Sequence, residues 1–187
     1  ENGLIKFIGN PEQRIKEDYL RILRYIRFFL NYSKVDHDKV VKKIIKTNIV
    51  GIKKISKERL IDELKKLFLS KKFIKVGKDK FLMEILKLIF PELINLNIFE
   101  KMNEKNAKMV KDKDFIFRLC LCIVDGSDNV NYFLYKYNFS NKDKRRIIFL
   151  KENLKYFDDK DFFTKKNLLK ILYFNDSLLV EDLIDFK

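Results

Sequence analysis

Apolar residues recur at spacings of three and four from residue 11 to residue 184 of this chain, interrupted only by short polar loops. A helix of about 3.6 residues per turn gathers such positions on one face, whereas a strand needs alternation every second residue. Pro occurs only at Pro11 and Pro91, and the 187 residues include just five glycines, so little breaks the helical pattern. The spacing predicts an all-α, multi-helix protein. One segment departs from it: Leu4-Ile5-Lys6-Phe7-Ile8 reads as a short strand. No partner strand is evident, and a lone strand is not a stable unit. It is expected to be the last strand of an α/β domain lying outside this sequence. The chain begins on Glu1 rather than Met, which gives the same expectation of a piece of something longer.

The first helix is predicted to start with Asn10 as N-cap and Pro11 at the first helical position, and to run without interruption to about Asn31. Further helices are expected from about Asp38 to Lys46, from a Ser56 cap to Phe68, and at about 80–90, 91–99 and 114–124. Asp125-Gly126-Ser127-Asp128-Asn129 is the strongest turn signal; beyond it helices are expected near 130–138, 141–155, 164–174 and 177–184, with Ser140 and Asp143 as a capping pair. Gly77 is read as a boundary between two groups of helices.

Charge narrows the function. The formal net charge is +14, which favours a polyanionic partner, most simply a nucleic acid. Ala107 is the only alanine while Lys, Ile, Asn and Phe abound, the signature of an AT-rich genome, and this discounts part of the charge. Cys120 and Cys122 are two apart on a predicted helix, which suits buried reduced thiols better than a disulfide. With His37 as the only histidine and no C-x-x-C pair, a zinc site has nothing to build on. No apolar run approaches a membrane span and no signal peptide is visible, so a cytoplasmic protein is expected, bacterial or organellar, with no membrane partner.

Within this lysine-rich chain arginine is scarce, and it clusters. Arg14, Arg21, Arg24 and Arg27 fall in the first predicted helix; only Arg59, Arg118, Arg145 and Arg146 lie elsewhere. Guanidinium offers a planar fork of donors that the ammonium of lysine cannot imitate. At ~100° per residue, Arg14, Asp18 and Arg21 would share one face, flanked by Glu17 and Arg24, while Ile15, Tyr19, Ile22, Leu23, Ile26 and Phe29 would face the core. Two readings follow. The pairs Arg14–Asp18 and Glu17–Arg21 are four apart and suit a ladder of surface ion pairs. Alternatively, a carboxylate held beside a guanidinium presents an acceptor next to a donor. That order complements the Watson–Crick edges of cytosine and adenine and leaves uracil and guanine with unpaired polar groups, a basis for discrimination.

The segment Gly9-Asn10-Pro11, Arg14, Glu17-Asp18-Tyr19-Leu20-Arg21-Ile22-Leu23-Arg24 resembles the E-D-x-x-R motif of class II tRNA nucleotidyltransferases (CCA-adding enzymes) and bacterial poly(A) polymerases. Ile55-Ser56-Lys57-Glu58-Arg59-Leu60, with Glu63-Leu64 and Leu67, is similar to the family's I-S-x-E-R helix, and Phe90-Pro91-Glu92-Leu93 to the Pro-Glu-Leu that ends a body helix. The resemblance covers residues 3 to about 94 well and weakens beyond. It implies a head remnant at 1–9, a neck at 10–78 carrying the nucleotide-selecting helix, a body at 79–126 and an RNA-binding tail at 127–187. It implies that Asp18 and Arg21 read the base of ATP or CTP, that Arg14, Glu17 and Arg24 support that pocket, and that Arg59 with Glu63 braces the neck. The partners implied are tRNA or another RNA 3′ end, the two nucleotides, and a catalytic head domain from the same or a separate gene.

The family's head carries a G-G-x-x-R-D segment and a D-x-D pair that holds two Mg²⁺ ions, which would activate the attacking hydroxyl and stabilise the leaving pyrophosphate. Neither pattern has a counterpart here. Asp36-His37-Asp38 is D-x-D in spelling alone, with helix capping as its expected role. No metal or cofactor site is therefore expected in this chain, no catalytic residue is assigned, and the chain alone is expected to be inactive. Poly(A) addition, or a non-enzymatic helical RNA-binding or scaffold role, remains the alternative. On the helix after Ser140, Lys142, Lys144, Arg145, Arg146 and Lys151 read either as contacts to RNA phosphates or as a solvated face. Tyr132, Phe133, Tyr135, Tyr137 and Phe139 read as core ahead of base stacking.

Overall fold

The computed structural model describes residues 3–187, and its regular elements are all helical. Residues 1 and 2, the start of the expected head remnant, lie outside the described residues. The helices are α1 (Pro11–Glu17), α2 (Arg21–Tyr32), α3 (Lys39–Asn48), α4 (Lys57–Phe68), α5 (Lys80–Ile89), α6 (Ile98–Lys101), α7 (Glu104–Asp112), α8 (Phe115–Ile123), α9 (Asn129–Lys136), α10 (Asn141–Asn153), α11 (Lys165–Phe174) and α12 (Ser177–Phe186). Tight 3-10 turns at Ile49–Lys54, Phe73–Lys78 and Leu154–Tyr156 join some of them.

Local chemistry accounts for most starts. Asn10 accepts from the Glu12 and Gln13 amides, Asp38 from Val40 and Val41, Ser56 from Arg59, Asp79 from Leu82, and Asp114 from Phe117. Each satisfies a donor the helix cannot. Asp38 is thus a cap, as its loop position suggested. Ser140 accepts from the Asp143 amide while its hydroxyl donates to the Asp143 carboxylate at 2.7 Å.

Three expectations are corrected. The residues 4–8 form no strand: among the described residues there is none to pair with, and side-chain packing holds the segment instead, with the Phe7 ring stacked on Tyr25 at 5.6 Å. The first helix is not continuous; it stops at Glu17 and restarts at Arg21. The predicted helix at 91–99 is mostly turns, with a single helical turn at α6, while α7, capped by Asn103, lies in a stretch where no helix was expected. Gly77, read as a boundary between two groups of helices, is buried, and a Cβ there would lie 2.4 Å from the Glu100 amide nitrogen, so the 3-10 turn at Phe73–Lys78 and α6 touch backbone to backbone.

Packing runs from end to end of the molecule. The α1 helix lies on α3, α2 on α4, α4 on α8, α8 on α10, and α10 on α12, around one contiguous apolar core. Ile15, Ile22, Leu23 and Ile26 enter that core as their spacing predicted, joined by Tyr25 and Leu30. Cys120 and Cys122 are both buried free thiols, and burial pushes both well above the ordinary thiol range. Among the described residues no helix is long and apolar enough to cross a membrane.

Candidate nucleotide-selecting site

The break between α1 and α2 builds the site. Asp18 leaves the helix with φ −152° and ψ 102°, and its carboxylate accepts from the Leu20 amide at 3.2 Å. A short polar side chain that satisfies its own backbone in this way competes with helix continuation. The chain re-enters the helix when the Arg21 amide bonds the Asp18 carbonyl at 3.0 Å. The Tyr19 ring meanwhile covers Gly51, where a Cβ would sit 1.9 Å from a ring carbon, so that position has no room for a side chain.

The break rearranges the expected ion pairs. The Glu17 carboxylate accepts from Arg14 at 2.5 Å and from Arg21 at 2.9 Å, and Arg21 Nη1 also donates to the Arg14 carbonyl at 3.0 Å. The Glu17–Arg21 pair forms as its spacing suggested; the Arg14–Asp18 pair does not, because the two residues no longer share a helix. Asp18 turns instead to Arg59 on α4, whose Nη2 lies 3.1 and 3.2 Å from its two oxygens, with Arg24 Nη1 at 3.6 Å. Glu63 is only 2% exposed and is held by Arg27 Nε at 2.6 Å, with Arg24 Nε at 3.9 Å. Arg59 and Glu63 both reach from α4 to the first motif, each to its own partner: Arg59 holds Asp18, Arg27 holds Glu63, and Arg24 lies between the two carboxylates. Arg27 was missed. Its position three residues beyond Arg24 was visible, but the buried acid it serves lies 36 residues away.

Arg14, Arg21 and Arg24 line a cleft of about 230 Å³ together with Tyr25, Phe28 and the segment Ile5–Ile8. The lining combines guanidinium donors with flat apolar surface and, among the described residues, includes no carboxylate. Tyr25, one of the lining residues, is tied to the rest of the fold: its hydroxyl is 2.8 Å from His37 Nδ1, and His37 Nε2 is 2.9 Å from Asp79 Oδ2. Burial pushes against the charge on Asp79, but the hydrogen bonds from His37 and backbone amides outweigh it and hold the carboxyl below the ordinary aspartate value.

The basic cluster on α10 divides. Lys142 and Arg145 are exposed and line a cleft of about 490 Å³ against the start of α12, where Arg145 lies 3.7 Å from Asp176. Lys144 is half-buried, and Lys151 lies 3.7 Å from Asp128. Arg146 is corrected: it is 5% exposed, and its guanidinium bonds Asp182 and Asp114, so it ties α10 to α12 and to the start of α8 and is not free to meet a phosphate. Burial works against its charge, but those two carboxylates raise it above the ordinary arginine value. Of the aromatic group, Phe133 and Tyr137 are core, Phe139 is half-buried, and Tyr132 and Tyr135 are exposed. Among the described residues no group of three or more His, Cys, Asp or Glu is arranged to hold a metal ion.

A broken helix that gathers guanidinium and carboxylate groups beside an apolar wall, on an all-α scaffold of strong positive charge, defines a helical module suited to polyanions and planar rings. Comparison with known proteins finds partial likenesses. Residues 37–96 match the family model described as the probable RNA and SrmB-binding site of polymerase A. The human mitochondrial CCA tRNA nucleotidyltransferase 1 is 44% identical over 72 residues, 36% of this chain and 16% of that protein. The CCA-adding enzyme of Limosilactobacillus reuteri is 41% identical over 81 residues, 42% of this chain and 19% of the relative. That of Staphylococcus haemolyticus is 29% identical over 147 residues, 77% of this chain and 34% of the relative. Over these segments the chain is similar to CCA-adding enzymes and to polymerase A, and it spans well under half the length of those relatives.

Proposed function

We propose that this chain is the nucleotide-selecting and RNA-holding helical part of a template-independent tRNA nucleotidyltransferase that adds C and A to RNA 3′ ends. The observation that carries the reading is the Glu17-Asp18 break. It holds one carboxylate on Arg59 while the guanidinium groups of Arg14, Arg21 and Arg24 surround a cleft with an apolar wall. In this reading Arg21 donates to the base edge of CTP or ATP from the cleft wall, and Asp18, which does not line the cleft, supplies the acceptor from the break between α1 and α2. A carboxylate has about four lone-pair positions. Leu20 and Arg59 use three of those on Asp18, and the fourth, on Oδ2, faces Arg24 Nη1 at 3.6 Å, beyond hydrogen-bond length. Arg21 uses only Nη1 among the described residues, so Nε and Nη2 remain for a ligand. Glu17 and Arg14 fix Arg21, and Arg24 with Arg59 fixes Asp18.

The metal-bound chemistry belongs, in this account, to a catalytic head domain carrying Mg²⁺, while the surface around Lys142 and Arg145 contributes sequence-blind attraction for RNA phosphates. Incubation of this chain alone with ATP, CTP, Mg²⁺ and tRNA tests the division: RNA binding without incorporation is expected, and robust incorporation by the chain alone contradicts it. The match to polymerase A supports a second reading, poly(A) addition. Sequencing the 3′ ends made by the enzyme that contains the head separates the two, since a bounded C-C-A tail and an open run of A are distinct products.

A further inference from the structure

A second groove lies away from the arginine cleft. It has a volume of about 480 Å³ and runs between the 3-10 turn at Ile49–Lys54, the start of α4, the end of α5 and the end of α9. Its walls are apolar, and two of the residues that form them stand open to solvent: Val50 is 68% and Leu88 55% exposed. Lys53, Lys57 and Lys136 also line it, and no carboxylate does. Lys53 and Lys57 are exposed; Lys136 is anchored by Glu92 at 2.9 Å and lies over the Tyr137 ring at 5.1 Å. The buried hydroxyl of Tyr137, whose side chain also lines the groove, has no hydrogen-bond partner among the described residues.

We propose that this groove binds one unpaired nucleotide of an RNA strand, the base against Val50 and Leu88 and the flanking phosphates against Lys53 and Lys57. The argument is complementarity. A planar base has two apolar faces that suit such walls, and a strand brings a negative charge on each side of it. A purely apolar partner would gain nothing from the exposed ammonium groups of Lys53 and Lys57, and an acidic partner nothing from the exposed valine and leucine. A base-paired duplex cannot enter, because its bases are stacked and its outer surface is phosphate. The proposal rests on the RNA-binding reading above and adds to it a place and a preference for single strands.

The test measures binding of the whole chain to a short fluorescent oligo(A) RNA and to an RNA duplex of equal length, as a function of salt. Combined Leu88→Ser and Val50→Ser remove the apolar walls at positions that are already exposed. The double variant is expected to weaken oligo(A) binding by about fivefold or more, with duplex binding and thermal midpoint unchanged. Combined Lys53→Ala and Lys57→Ala should lower the salt slope for the single strand by about one to one and a half. If the double serine variant binds oligo(A) within twofold of the parent, or loses single strand and duplex equally, the groove is not the site, and its apolar face falls to a protein partner. If the parent chain binds no RNA of either kind, the RNA-binding reading fails and this site fails with it.

Discussion

At the scale of single residues, arginine marks the places where this protein needs a fork. Arg27 meets buried Glu63, Arg146 meets buried Asp182, and Arg118, itself buried, donates to the carbonyls of Phe68, Lys111 and Lys113. Lysine cannot span such sets from one planar group. The scarcity of arginine was legible in the sequence. The split between Arg14, Arg21 and Arg24 around a cleft and Arg118 and Arg146 in the core was not, because burial depends on which helices pack together. Energies should follow burial. Glu63→Ala leaves Arg27 facing a vacated core position and is expected to cost about 3 kcal/mol in urea unfolding. Arg59→Ala removes an exposed guanidinium and should cost less than about 1 kcal/mol, while freeing Asp18.

At the scale of elements, the caps at Asn10, Ser56 and Ser140 could be read directly, since each acts on its own next turn. The break at Asp18 could not. The apolar spacing continues through it, and the Arg59 that holds it lies 41 residues on. The same limit hid the role of Gly51, whose missing side chain leaves room for Tyr19. Gly51→Ala should destabilise by about 1–3 kcal/mol, because an aromatic ring in that position has no flexible end to move aside. Asp79 joins the start of α5 to His37 and, through it, to Tyr25. Its folded-state pKa lies below the ordinary aspartate value of 3.8, so its contribution is complete above that value and is lost as pH falls through the folded value. Thermal midpoints followed from about pH 6 down to about pH 2 should therefore fall in the acid range. Asp79→Asn, which can still cap α5, should lower the midpoint near pH 6 and flatten that acid limb. An unaltered limb would mean that the His37 contact carries no ionic weight.

At the scale of the whole molecule, the all-α class and the family resemblance of the first half were legible because both rest on local pattern. The continuity across Gly77 was not, because it depends on backbone contact between turns distant in sequence. Phe68 packs edge-on to Phe115 at 5.7 Å, and Arg118 bonds the Phe68 carbonyl, so α4 and α8 are expected to unfold together. Denaturation followed by far-ultraviolet circular dichroism and by tyrosine fluorescence should give coincident transitions; two separated transitions would show independent halves. The central claim is that Asp18 and Arg21 choose the nucleotide. Its most direct test is incorporation of each of the four nucleotides onto tRNA by the enzyme that contains the catalytic head, with Asp18→Ala and Arg21→Ala compared to the parent. Both variants are expected to fold with little change in thermal midpoint and to accept UTP or GTP in place of CTP and ATP. Full retention of the C and A preference in both would contradict the account.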